Sequence, residues 1–255
     1  STLCRGRIVP QEIADKEAAA KFIEAVGQFD RIMNDSGFVT LTRLAASEIT
    51  GQDGKAGIIE KYFSLSQTDT TCLKDIGLYP EEMRVGDDIL CLHTLSDVED
   101  LPGKVGTDTR FEKLSTDRSD CRLSFAAPVG VLLSCNHVYN QYIFIDDHAE
   151  NLKNFEQTAR NMQSLSRYSR ANQVNKEWID EYLNEAHSKG LISVRCHCNV
   201  MAWSDDRDEL KRIRNDVGSQ LALMECKPRH NTVDTPTLFW AGIPGNEADF
   251  PLSLI

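Results

Sequence analysis

Residues 191–224, LISVRCHCNVMAWSDDRDELKRIRNDVGSQLALM, change their hydrophobic period halfway along. Up to Trp203 the chain alternates. Ile192, Val194, Cys196, Cys198 and Val200 share one face while Arg195, His197 and Asn199 take the other, which is the two-residue repeat of a strand. Beyond Asp205, Leu210, Ile213, Val217, Leu221 and Met224 recur at spacings of three and four, the inward stripe of a helix. Between the two, Ser204-Asp205-Asp206 supplies a helix cap, and Asp208 and Glu209 face the positive end of the helix dipole. The pattern predicts a strand over 191–203 that feeds a helix over 205–224.

Working outward, Leu152, Phe155, Ala159, Met162 and Leu165 mark one helix face, and Val174, Trp178, Tyr182 and Ala186 mark a second, stopped by Lys189-Gly190. Two apolar runs, 130–135 and 139–145, read as strands buried on both faces. The order from residue 130 is then β-β-α-α-β-α, which predicts an α+β fold: a mixed or mainly antiparallel sheet with helices layered on it. Nearer the N-terminus, Phe22, Val26, Phe29 and Met33 predict a helix over 11–34, with Pro10 at its start. A strand is expected at 38–42, a short helix at 57–66 and a strand at 89–95. Residues 96–120 form a mainly polar stretch, and a connection that long is usually functional or mobile. This divides the chain into an acidic α+β lobe (1–125), a second lobe (126–237) and an extended tail (238–255).

With 28 Lys+Arg against 39 Asp+Glu, the net charge of −11 argues against a general basic surface for nucleic acid. Ten basic and 18 acidic side chains fall in residues 1–100, so most of the excess lies there. No apolar run approaches the roughly 18 residues of a membrane span, and the first residues carry no signal-like apolar core. Eight cysteines in a chain of 255 residues, several in runs such as ILCLHTL and VLLSC, read as free thiols in a reducing cytoplasm rather than as a disulfide framework.

Several constellations invite a chemical reading. Cys196-His197-Cys198, with Cys226 and His230 downstream, offers zinc-type ligands, but strand alternation points His197 outward and the two thiols inward, so one ion cannot collect all three. Asp146, Asp147 and His148, with Asp205, provide donors for a metal-dependent hydrolase; the same aspartates are natural helix caps. Neither Gly54-Lys55 nor Gly103-Lys104 completes a phosphate loop, and no dinucleotide, nucleophile-elbow or H-E-x-x-H motif is present. Arg160, Arg167, Arg170 and Lys176 form a mild basic patch that reads as a solvated helix face. Arg110 and Arg118, in the mixed-charge loop 107–122, suit a docking loop or a solvated one equally.

The tail TPTLFWAGIPGNEADFP (235–251), read as an aromatic-rich strand running into a turn, resembles the segment just before the motor domain of type IV secretion conjugation ATPases, through Phe239, Trp240, Ile243, Pro244, Gly245 and Asn246. The strand–helix unit 193–221 stands at the matching distance upstream. Together with YFSLSQTDTTCLKDIG (62–77), KLSTDRSDCRLSFAAPVG (113–130) and NQVNKEWIDEYLNEAHSKG (172–190), the whole chain resembles the TraG family of Bacteroides-type conjugative transposons, in the VirB-type ATPase class. The resemblance implies a non-catalytic docking and assembly region, without a complete RecA-like motor. ATP and Mg²⁺ would belong to a motor domain beyond Ile255, and none of the family's catalytic residues has a counterpart here. It also implies partners among the inner-membrane secretion subunits, self-association, and a place at the cytoplasmic face of the membrane. DNA contact stays open. Trp240, Ile243, Pro244, Gly245 and Asn246, with Arg110 and Arg118, are the expected interaction and hinge residues; the rival class is the hydrolase of Asp146, Asp147, His148 and Asp205.

Overall fold

The computed structural model describes residues 11–37, 39–66, 74–102, 105, 109–110, 115–123, 125–165 and 168–251. Eight helices appear among them: α1 (Gln11–Asp35), α2 (Ala46–Thr50), α3 (Ile58–Ser64), α4 (Ala127–Leu132), α5 (His148–Leu165), α6 (Arg170–Lys189), α7 (Arg207–Leu223) and α8 (Thr235–Ala241). The strands are β1 (Ile76–Leu78), β2 (Met83–Val85), β3 (Asp88–Leu95), β4 (Thr109–Arg110), β5 (Arg122–Leu123), β6 (His137–Phe144), β7 (Arg195–Ser204) and β8 (Arg229–Asn231). Six of them form one sheet in the order β1-β2-β3-β7-β6, every pairing antiparallel, and β8 continues beyond β2 along the same edge of β3. The fold is α+β.

The central pair β3–β7 carries the core on both faces. Ile89, Cys91 and Leu95 lie with Cys198, Val200 and Ala202 against Leu210, Ile213, Val217 and Leu221 of α7 and Val129 of α4. Leu90, Leu92 and Met201, on the opposite face, meet Met83 and Val85 of β2, Leu238 and Phe239 of α8, and Phe250. Successive strand residues point to opposite faces, so two covered faces make these strands almost continuously buried. His197, expected to point outward, is therefore fully buried at 0% exposure, within the layer between the sheet and α8–Phe250.

Several expectations are corrected. Residues 130–132 of the apolar run 130–135 belong to α4 rather than to a strand: Pro128 sits in the first turn of that helix, and a run this short has no periodicity to separate strand from helix. β6 is an edge strand with none of its residues buried, so it is not covered on both faces, and Ile143 is exposed. No strand occurs at 39–42, and Phe38 lies outside the described residues. Residues 235–241 are helical rather than extended, again with Pro in the first turn. Because β3 pairs with β7, the sheet joins the two expected lobes into one core. The strands over 191–203 and 89–95 and the helices over 11–34, 57–66 and 205–224 match observed elements within a few residues.

Candidate functional site

The tail is anchored at two points. Phe239 is fully buried against α3, with its ring 4.9 Å from that of Tyr62, and the Tyr62 hydroxyl donates to the Phe239 carbonyl at 2.7 Å. Burial, with a smaller contribution from Tyr142, raises the Tyr62 pKa and keeps the phenol protonated as that donor. A Cβ on Gly242 would lie 2.6 Å from the Tyr62 hydroxyl oxygen, so any larger residue there must displace that hydroxyl from its bond to Phe239. Trp240 packs edge-on against Phe63 at 5.5 Å and leaves part of its indole in solvent. Beyond it, Asn246 closes the turn: its Nδ2 donates to the Trp240 carbonyl at 2.9 Å and its backbone N–H to the Ile243 carbonyl. Gly245 adopts φ +94°, a conformation that favours glycine, and its N–H donates to Glu247 at 3.1 Å. Phe250 then returns to the sheet, its ring 4.3 Å from that of Tyr142. Ile243, Pro244, Gly245 and Asn246 thus form a turn held at both ends.

The loop residues lie apart from this turn in sequence and secondary structure. Arg110 ends β4 and its Nε reaches Asp120 at 2.8 Å, while the Arg118 N–H donates to Thr116 Oγ1 within a small turn. Residues 103–104, 106–108 and 111–114 of the long polar stretch lie outside the described residues.

The hydrolase donors are not gathered. Asp146 holds Arg195 through two bonds of 2.7 and 3.0 Å, and this hydrogen bonding lowers its pKa. Asp147 accepts from the Glu150 N–H at 3.0 Å, the cap of α5. Asp205 follows Ser204, at the far end of the ten-residue β7 from Arg195, a separation of roughly 30 Å along an extended strand. Among the described residues no group of three or more His, Cys, Asp or Glu side chains has metal-holding geometry. The six described cysteines are free thiols, and burial pushes Cys91 and Cys226 up to about 11, which leaves them protonated at neutral pH.

Two helical surfaces face outward instead. None of the described side chains along α1 is buried; Phe22, Ile23, Phe29 and Ile32 lie open, Phe22 at 70% exposure. α5 and α6 form an antiparallel hairpin inserted between β6 and β7, stitched by Phe155 against Tyr182 at 5.0 Å, with Trp178 and Tyr168 exposed. Sequence periodicity identified both apolar stripes, but periodicity reports which residues share a face and not whether that face is covered. Among the described residues no helix is long and apolar enough to cross a membrane. No family model matches this chain, and no curated protein matches it.

Proposed function

We propose that the chain is a non-catalytic docking and assembly region, and that it serves a conjugation ATPase of the type IV secretion class by contacting inner-membrane channel subunits and neighbouring protomers. The family part of this reading rests on the sequence resemblance across the tail, the strand–helix unit and the three internal segments. The docking part rests on one observation: α1 presents Phe22, Ile23, Phe29 and Ile32 to solvent along a helix of 25 residues. Large apolar side chains clustered on an exposed surface mark a surface that another protein covers. In this reading ATP and Mg²⁺ act in a motor domain, and the present residues position that motor at the cytoplasmic side of the channel.

The test places a photo-crosslinking amino acid at Phe22 or Phe29 in transfer-proficient cells. Crosslinks to secretion subunits or to a second copy are expected. Phe22→Asp with Phe29→Asp should lower DNA transfer by about tenfold or more, the consequence of losing roughly 1.4 kcal/mol at an interface. Unchanged transfer in that double variant, with the protein present at normal level, sinks the reading.

A further inference from the structure

A cavity of about 470 Å³ opens beside α7, between that helix, the β2–β3 hairpin and the segment from β8 into α8. Arg207, Lys211 and Arg214 line it from α7, and their spacings of four and three residues place them in one stripe. Thr232 and His230, from the segment between β8 and α8 and from β8, line it as well. Two carboxylates also border it. Glu82 is engaged by Arg84, whose Nε lies at 2.8 Å, and by Arg207 at 2.9 Å; Glu81 stands at the exposed rim. Lys211 holds Asp208, a side chain open to solvent, at 2.9 Å.

Arg214 differs from its neighbours. Its Nε is buried and donates to no described residue, and no described carboxylate stands within ion-pair range of its guanidinium. The side chain as a whole is half-buried, and a buried donor left without an acceptor is costly. His93, whose ring stacks on that of His230 at 5.6 Å, is held neutral by burial, by His230 and by Arg214, and offers it no negative charge. The wall of a cavity of ligand size therefore carries a half-buried guanidinium with an unmet donor.

We propose that this cavity binds the phosphate group of a small molecule, with Arg214 as its principal ligand and Lys211 and Thr232 as supporting donors. The planar fork of an arginine matches two phosphate oxygens, and the nearby ammonium suits the second charge of a phosphate dianion better than a single carboxylate would. Met83 and Leu210, which also line the cavity, give an organic substituent an apolar wall. The inference is independent of the docking role.

Calorimetric titration of the whole chain with inorganic phosphate and with phenyl phosphate tests it. Saturable binding with a Kd on the order of 1 mM or below is expected. It should weaken about tenfold in Arg214→Gln, also fall in Lys211→Gln, and persist in Arg160→Gln on α5. Because Arg214 makes no hydrogen bond or ion pair to a described residue, Arg214→Gln should leave the ligand-free melting temperature unchanged, whereas a purely structural arginine would lower it. Tighter binding of phenyl phosphate identifies an ester as the ligand; equal binding identifies the free anion. Absence of saturable binding for both probes overturns the proposal. So does binding that survives Lys211→Gln together with Arg214→Gln, or Lys211→Gln alone if the arginine variant does not fold.

Discussion

Phe250 is 4% exposed, and its ring stands 4.9 Å from that of His197 and 5.6 Å from that of Phe144, besides Tyr142. Truncating a packed aromatic costs about 3–5 kcal/mol, so Phe250→Ala should lower the urea midpoint sharply. Gly245→Ala has open space for its Cβ but a left-handed backbone to hold, and should cost only about 1 kcal/mol. Equal effects from the two substitutions would show that the turn and not its aromatic anchor fixes the tail. His93 makes a second residue-level prediction. Its pKa is lowered from 6.5 to about 4, first by burial, then by His230 and Arg214. In the unfolded chain the imidazole takes up a proton near pH 6.5, and in the folded chain only near pH 4, so between those values the unfolded state binds more protons. Stability is therefore full above pH 6.5 and falls as the pH drops towards 4, by on the order of 3 kcal/mol. Denaturant titrations at pH 7 and pH 4 should show this loss, and His93→Gln should remove that part of it; an unaltered pH dependence in the variant would assign the loss to other groups. Alternation in the sequence placed His197 and Asn199 on one face correctly, but it could not foresee that α8 and Phe250 cover that face, because those contacts join residues about 50 positions apart.

At the level of elements, long periodic segments were legible and short ones were not. α1 and α7 show their stripes over 25 and 17 residues, enough turns for the period to stand out. β1, β2 and β8 are three residues each, below the length at which alternation means anything, and they exist because β2 and β8 pair with β3. Apolar and aromatic content suggests extended chain at 130–135 and 235–241, while Pro128 and Pro236 signal the first turn of a helix. The difference between α1 and α7 in burial predicts opposite responses to charge. Phe22→Asp with Phe29→Asp on α1 should leave the melting temperature within about 2 °C, since surface changes are usually within 0.5 kcal/mol. Val217→Asp on α7, where the side chain is fully buried, should leave little folded protein. A large destabilisation by the α1 pair would mean that its apolar face is covered within the chain and is not available to a partner.

For the molecule as a whole, the decisive fact is that one antiparallel sheet takes strands from both sides of residue 125, so the composition shift at that point marks a change in charge and not a boundary between cores. The α5–α6 hairpin stands in a different relation to the sheet. Its two helices, of 18 and 20 residues, pack chiefly on each other, with Ala159 and Ala186 buried. At its base Phe144 of β6 is paired directly with Arg195 of β7, and Asp146 clasps Arg195. Neighbouring antiparallel strands whose ends are already in register need no more than a tight turn to join them. Replacing residues 148–192 by a short Asn-Gly-containing turn should therefore give a protein that still unfolds cooperatively, with its near-ultraviolet signal from Trp203 and Trp240 preserved and a loss of far-ultraviolet helix signal matching the two helices. Closure of a shorter connection costs less entropy, so the stability of the remaining sheet should change by no more than about 2 kcal/mol. If the hairpin is a docking arm, the shortened protein loses crosslinks that wild type makes through Trp178 and Tyr168 while keeping those through α1. A shortened chain that collapses or aggregates would instead place the hairpin among the supports of the sheet, and the inserted helices would then stabilise β6 at its exposed edge.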